Sequence, residues 1–197
     1  MHVSQYLKCC ASLFAAALLL PAATKSENRS CALGTPTAAS YTWNFPSEAQ
    51  ELLGDIAADA REARMHSDNL DRFALDPDIS WQEHAVELSA VREAVNDMGT
   101  KLCRLETIRR VALPWEKKAI DDAAPLISEM ANEAQAAITF LNDHEENLFN
   151  PAYNGFTAGL YQRSDKLAKE MNEFEKFSKV HREDIQLEKS LDFNKTS

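Results

Sequence analysis

The chain of 197 residues is poor in the residues that build strands and turns. It contains five glycines, seven prolines and 8% aromatic residues. No segment alternates valine or isoleucine with polar residues over the length of a strand. A β-sheet core is therefore not expected, and the sequence predicts an all-α protein.

The chain also lacks the short motifs that carry common chemistry. No Gly-x-Ser-x-Gly elbow, phosphate-binding loop or His-Glu-x-x-His zinc motif occurs. A di-iron bundle needs Glu-x-x-His pairs, and covalent haem needs Cys-x-x-Cys-His. Neither is found, and the residues three positions before His66, His84, His144 and His181 are Ala63, Trp81, Leu141 and Ser178. We expect no enzymatic activity and no cofactor.

The chain also has fewer basic than acidic residues. The chain has 21 lysines and arginines against 31 aspartates and glutamates, a formal net charge of −10. Binding to phosphate backbones needs a concentrated cationic surface, so nucleic acid is not an expected partner. Adsorption to anionic lipid is disfavoured for the same reason, whereas a large net charge favours solubility.

The first 24 residues have the layout of a secretory signal peptide. Lys8 precedes an apolar run from Cys9 to Leu20, and the small residues Ala22 and Ala23 follow. The run is shorter than the roughly 20 residues that span a bilayer, which favours cleavage over an uncleaved anchor. We expect an exported protein, periplasmic or extracellular, with no stable membrane insertion after cleavage.

Four prolines divide the rest of the chain into segments of helical length, namely Pro46, Pro77, Pro114 and Pro151. The segments predict an antiparallel, up-down-up-down four-helix bundle over residues 47–191. An irregular arm of residues 25–46 precedes it, and a flexible tail of residues 192–197 follows. Capping-box spacings at Ser47 and Ser80 predict the starts of the first two helices. Pro125 predicts a kink or break in the third helix.

The second segment carries the most regular apolar seam, at alternating steps of three and four residues. Its members are Leu88, Val91, Val95, Met98, Leu102 and Leu105. The seam keeps its phase across Gly99, whereas a helical hairpin of a repeat protein would reset it. We therefore interpret Gly99 as a close helix contact or a slight bend. A comparable pattern ends at Leu148 in the third segment, and another runs through Met171 and Phe177 to Ile185 in the fourth.

Two cysteines remain once Cys9 and Cys10 leave with the signal. An even number in an oxidising compartment predicts a disulfide between Cys31 and Cys103. In an antiparallel bundle the end of the second helix lies beside the start of the first, so an extended arm can reach. Closing a loop of about 70 residues is worth roughly 4 kcal/mol on the chain-entropy model. The alternative is two reduced cysteines.

Three groups of side chains are candidate sites. A basic patch surrounds the turn between the second and third helices, and it consists of Lys101, Arg104, Arg109, Arg110, Lys117 and Lys118. It is either an interaction patch or a set of cations complementing a helix C-terminus. An aromatic group, Leu148, Phe149, Tyr153, Phe156 and Tyr161, either plugs a connection or contacts a protein. Acidic residues near His84 and His144 offer a weak site for a divalent cation.

The predicted architecture resembles exported bacterial helical bundles such as chemoreceptor sensing domains and small periplasmic chaperones. The resemblance rests on no shared motif and implies little about activity. We expect a non-enzymatic bundle that binds an unknown protein or envelope partner, as a monomer or weak homodimer. The alternative is a small-ligand or metal-binding bundle.

Overall fold

The computed structural model describes residues 45–195, with side chains from 47 to 191. That part of the chain forms four α-helices: α1 (Phe45–Phe73), α2 (Trp81–Ile108), α3 (Pro114–Asp143) and α4 (Pro151–Lys195). A 3-10 turn, Arg109–Val111, follows α2. Residues 45–195 contain no strand, which confirms the all-α prediction. The predicted signal peptide and almost all of the arm lie outside the described residues.

One of the two predicted helix starts is confirmed. The Ser80 hydroxyl accepts a hydrogen bond from the Glu83 N–H, and the Glu83 carboxylate accepts one from the Ser80 N–H at 3.0 Å. The other start is wrong, because α1 begins at Phe45 and Ser47 lies within its first turn. Pro46 explains the difference, since proline suits the first helical turn and its φ is already helical.

The seam of α2 faces the core. Leu88, Val91, Val95, Met98 and Leu105 are buried, and Leu102 is half-buried. α2 is continuous through Gly99, as the seam predicts. A Cβ added at Gly99 would meet no atom within 4 Å, so the interpretation as a close helix contact is wrong.

Each helix packs against two neighbours. α1 packs against α2 and α4, and α3 packs against the same two helices. The buried face of α1 is rich in alanine, including Ala57, Ala60 and Ala63, so its neighbours can approach closely. Met98 on α2 and Met130 on α3 are fully buried members of the same core. Within residues 45–195 no helix combines the length and apolar character needed to cross a bilayer.

α3 runs through Pro125 as one helix. Pro125 is exposed, and the predicted break did not form there, while a bend stays a prediction. The helix ends at Asp143, and Leu148 is buried from the following loop. Assigning Leu148 to the third helix was therefore wrong, although its place in the core was correctly predicted.

Candidate functional site

α4 is much longer than the helices it packs against. It has 45 residues, about 67 Å at 1.5 Å per residue, whereas α3 has 30. Its last buried side chain is Ser178, and every side chain from 182 to 191 is exposed. We call residues 182–195 the overhang, because this part of α4 continues beyond the end of the core.

Four exposed apolar side chains follow one line along the end of α4. They are Phe177 (51% exposed), Val180 (64%), Leu187 (62%) and Leu191 (64%), and we call them, with Asp184 between them, the α4 stripe. The steps from 177 through 180, 184 and 187 to 191 alternate between three and four residues. At 3.6 residues per turn the stripe lies about 140° around the helix from Leu160, Leu167 and Met171, which face the core.

The same outward face is charged where α4 crosses the bundle. Lys166, Lys169 and Glu173 occupy it, and they form ion pairs with neighbours on α4 at 3.8, 2.6 and 2.9 Å. The face becomes apolar only from Phe177 onward. Including Phe177 and Ile185 in the core pattern of the fourth helix was therefore wrong, since both side chains are exposed.

The charges around the stripe are acidic. Asp184 lies within the stripe, while Glu183 and Glu188 lie beside it, and all three are exposed. None of these three carboxylates forms an ion pair with any residue that the structure describes. Lys176, a cation beside this face, is engaged by Glu173 at 2.9 Å.

A cleft opens at the same end of the molecule, between α1, α4 and the start of α3. Its volume is about 610 Å³, and its apolar lining comprises Leu53, Trp115, Met171 and Phe174. Glu51, Asp55, Glu175, Lys179 and Arg182 give it a charged rim. The Trp115 ring packs edge-on against Phe177, with centroids 5.6 Å apart. The cleft therefore adjoins the first residue of the α4 stripe.

Glu116 is a fully buried carboxyl group beside Trp115. Burial raises its pKa, and the hydrogen bond that it accepts from the Leu113 N–H at 2.7 Å opposes that rise. Gln50 and His181 also lower it. This hydrogen bond satisfies a backbone donor at the start of α3, which gives Glu116 a structural reason to be there.

The basic patch is largely neutralised by neighbouring carboxylates. Four of its cations form ion pairs: Lys101 with Asp59 (2.5 Å), Arg104 with Glu48 (2.6 Å), Arg109 with Asp121 (2.5 Å) and Lys118 with Asp122 (2.6 Å). Lys117 and Arg110 form none within the described part of the chain. The interaction patch stays a prediction, and among the described residues only Lys117 and Arg110 remain available for a new ion pair.

The opposite end of the molecule is closed by an aromatic cluster. His84 is buried, lies 3.1 Å from the Tyr153 hydroxyl through Nδ1, and contacts the ring of Phe73. Burial lowers the pKa of His84 and raises that of Tyr153, so both are neutral at pH 7. Of the predicted aromatic group, only Phe149 is exposed, whereas the other members are buried or half-buried.

The predicted cation site and the predicted disulfide depend on histidines and cysteines. Glu87 lies 2.7 Å from His66, and His84 contacts Tyr153 instead. No group of three or more metal-ligating side chains occurs among the residues with described side chains. Cys103 is half-buried on α2, while Cys31 lies outside the described residues, so their disulfide stays a prediction.

Over residues 45–195 these features define an all-α fold with four helices, of which the last is extended. Comparison with protein-family models, with curated proteins and with solved structures found no match in any of the three. The function of the chain is therefore inferred from its own residues.

Proposed function

We propose that the chain is an exported, non-enzymatic helical bundle that binds a protein partner through the α4 stripe. The observation that carries the proposal is the stripe itself, four large apolar side chains exposed along the end of α4, two of them, Leu187 and Leu191, on the overhang. Contiguous exposed apolar surface of this kind marks interaction sites. Export is inferred from residues 1–24 alone.

An antiparallel, up-down-up-down arrangement would place the stripe at one end of the bundle. Contacts at the closed end support it, because rings from the end of α1, the start of α2 and the start of α4 meet there: Phe73, His84 and Tyr153. At the other end Glu48, near the start of α1, pairs with Arg104, near the end of α2. We further propose that Pro125 bends α3 along the outside of this bundle.

Burial of the stripe supplies the driving force for binding. Fully burying one leucine or phenylalanine side chain contributes about 1.5–3 kcal/mol. The four apolar members of the stripe are each more than half exposed, so most of that contribution is still available to a partner. The basic patch offers less, because its ion pairs would have to be broken before its cations could meet a new partner.

Site-specific photo-crosslinking in the producing cells tests this proposal. A photoreactive residue at Leu187 is expected to give one discrete crosslinked species. The matched control is Gln186, which is also exposed on the overhang but points away from the stripe. Equal crosslinking from both positions, or none from Leu187, would contradict a binding role for the stripe.

A small-ligand function is the second candidate, and the cleft beside Trp115 favours it. A volume of about 610 Å³ with an apolar lining and a charged rim has the size and composition of ligand pockets. The buried Nε1 of Trp115 has no hydrogen-bond partner in the described part of the chain. Native mass spectrometry of protein purified after export tests it, since a stoichiometric bound molecule supports this function and an apo mass counts against it.

A further inference from the structure

We infer that the α4 stripe binds an amphipathic helix of a different protein, and that this helix places a lysine or arginine opposite Asp184. The inference rests on the proposed function and specifies its partner. The spacing of the stripe and its charged member, Asp184, are the observations that support it.

The spacing of the stripe is that of a helix-pairing seam. Positions 177, 180, 184, 187 and 191 follow the alternating three-four repeat of the a and d positions in a coiled coil. Such a seam stays in register with another helix, whereas a β-strand presents side chains with a period of two. The stripe spans 14 steps, about 21 Å, which is the length of two heptads.

Asp184 argues against a second copy of this chain as the occupant. It lies midway between Phe177 and Leu191, seven residues from each. Pairing two copies in parallel and in register would therefore bring Asp184 against its own counterpart, and an antiparallel pair, in which a positions face d positions, would bury each Asp184 against an apolar side chain with no cation to neutralise it. Like charges facing each other across a desolvated interface cost several kcal/mol. A shifted register avoids this contact only by leaving apolar members of the stripe unpaired.

A basic residue on the partner would reverse the sign of that interaction. Asp184 has no ion-pair partner among the described residues, and Glu183 and Glu188 add negative charge on its flanks. A lysine or arginine opposite Asp184 would neutralise the buried carboxylate, while its aliphatic stem would cover neighbouring apolar surface. Charge complementarity therefore selects a partner helix with apolar residues around a central cation.

Two designed peptides provide the probe. Both are amphipathic helices three heptads long with leucine at the a and d positions, and they differ only in a central a residue, lysine or glutamate. Fluorescence anisotropy measures their affinity for the full exported chain. We expect the lysine peptide to bind about tenfold or more tightly than the glutamate peptide. Asp184→Lys is expected to reverse this preference.

The control variant is Asp97→Lys, which makes the same charge change on an exposed residue of α2. It should leave the preference for the lysine peptide unchanged. Equal binding of the two peptides, binding of neither, or the same response in both variants would overturn the inference. Sedimentation equilibrium gives a further test, since a dimer lost on Leu187→Ala would identify a second copy as the occupant.

The outcome separates this inference from the function on which it rests. Crosslinking from Leu187 without any charge preference between the peptides would retain the binding function and reject the basic helix. A crosslink from Leu187 to residues 25–44 of the same chain would reject both, because the stripe would then be covered internally.

Discussion

Two leucines on α4 give a direct test of where the core ends. Leu167 is fully buried, while Leu187, twenty residues further along the same helix, is 62% exposed. Replacing each with alanine removes the same atoms from the same kind of backbone. Any difference between Leu167→Ala and Leu187→Ala in the free energy of unfolding therefore reports the surroundings of the side chain.

The expected costs differ several-fold. Leu167→Ala removes a side chain from the interior and leaves a cavity, which lowers the free energy of unfolding by about 2–5 kcal/mol. Leu187→Ala changes a side chain on a segment that makes no hydrogen bond, ion pair or ring contact with another described helix. Its cost should fall within about 0.5 kcal/mol, the range of surface substitutions.

Urea denaturation followed by circular dichroism measures both values, with equal m-values as the check that the transition is unchanged. A loss above about 1.5 kcal/mol for Leu187→Ala would refute the reasoning, because that is the contribution of a well-buried leucine. Repeating the measurement over a range of protein concentrations would then show whether a second copy provides the burial.

Three other perturbations have defined outcomes. His84→Gln cannot titrate but still offers the Tyr153 hydroxyl a polar partner. Because burial lowers the pKa of His84, its contribution to stability is present above its ordinary value of 6.5 and is lost as the pH falls. The variant should flatten the acid side of the stability profile, where one proton changes the slope by at most about 1.4 kcal/mol per pH unit. Burial raises the pKa of Glu116, so its contribution is present below the ordinary value of 4.5 and is lost as the pH rises through the raised pKa. Glu116→Gln should therefore be more favourable for stability at pH 7 than near pH 4, where the carboxyl group is protonated. A Cys31–Cys103 disulfide would add about 2 Da to the mass of the exported protein on reduction, one hydrogen per thiol.

Each of these measurements has its own control. His144→Gln replaces an exposed histidine and is the control, and a similar flattening in both variants would contradict the role of burial. For Glu116, a stability gain that does not depend on pH would exclude titration as its cause. For the cysteines, an unchanged mass on reduction would reject the bridge, with Cys103→Ser as the reference.

Local rules predicted much of the helical framework. The apolar seam from Leu88 to Leu105 and the Ser80 capping box depend on residues three or four positions apart, and both are confirmed. The start of α1 was wrong because two local signals competed, Pro46 and Ser47. Proline prevailed, since its fixed backbone angle suits the first turn.

The candidate site was harder to predict because it depends on where neighbouring helices stop. Phe177 has helical spacing like that of Met171, and the sequence alone assigned both to the core. Met171 is buried and Phe177 is 51% exposed, because Met171 faces the core and Phe177 begins the stripe on the outward face of α4. The neutralisation of the basic patch was equally hard to predict, because Asp59 and Glu48 on α1 pair with cations on α2.

Four helices could be predicted from the chain, because helix formation depends on periodicity, capping and the positions of prolines within one segment. Which apolar side chains are covered and which charges are compensated depends on how the helices pack. Both properties depend on residues distant in the chain, and a repeat of apolar residues has the same pattern whether or not another helix lies against it. The α4 stripe is the clearest case, since its spacing is that of a core seam although its apolar side chains are exposed.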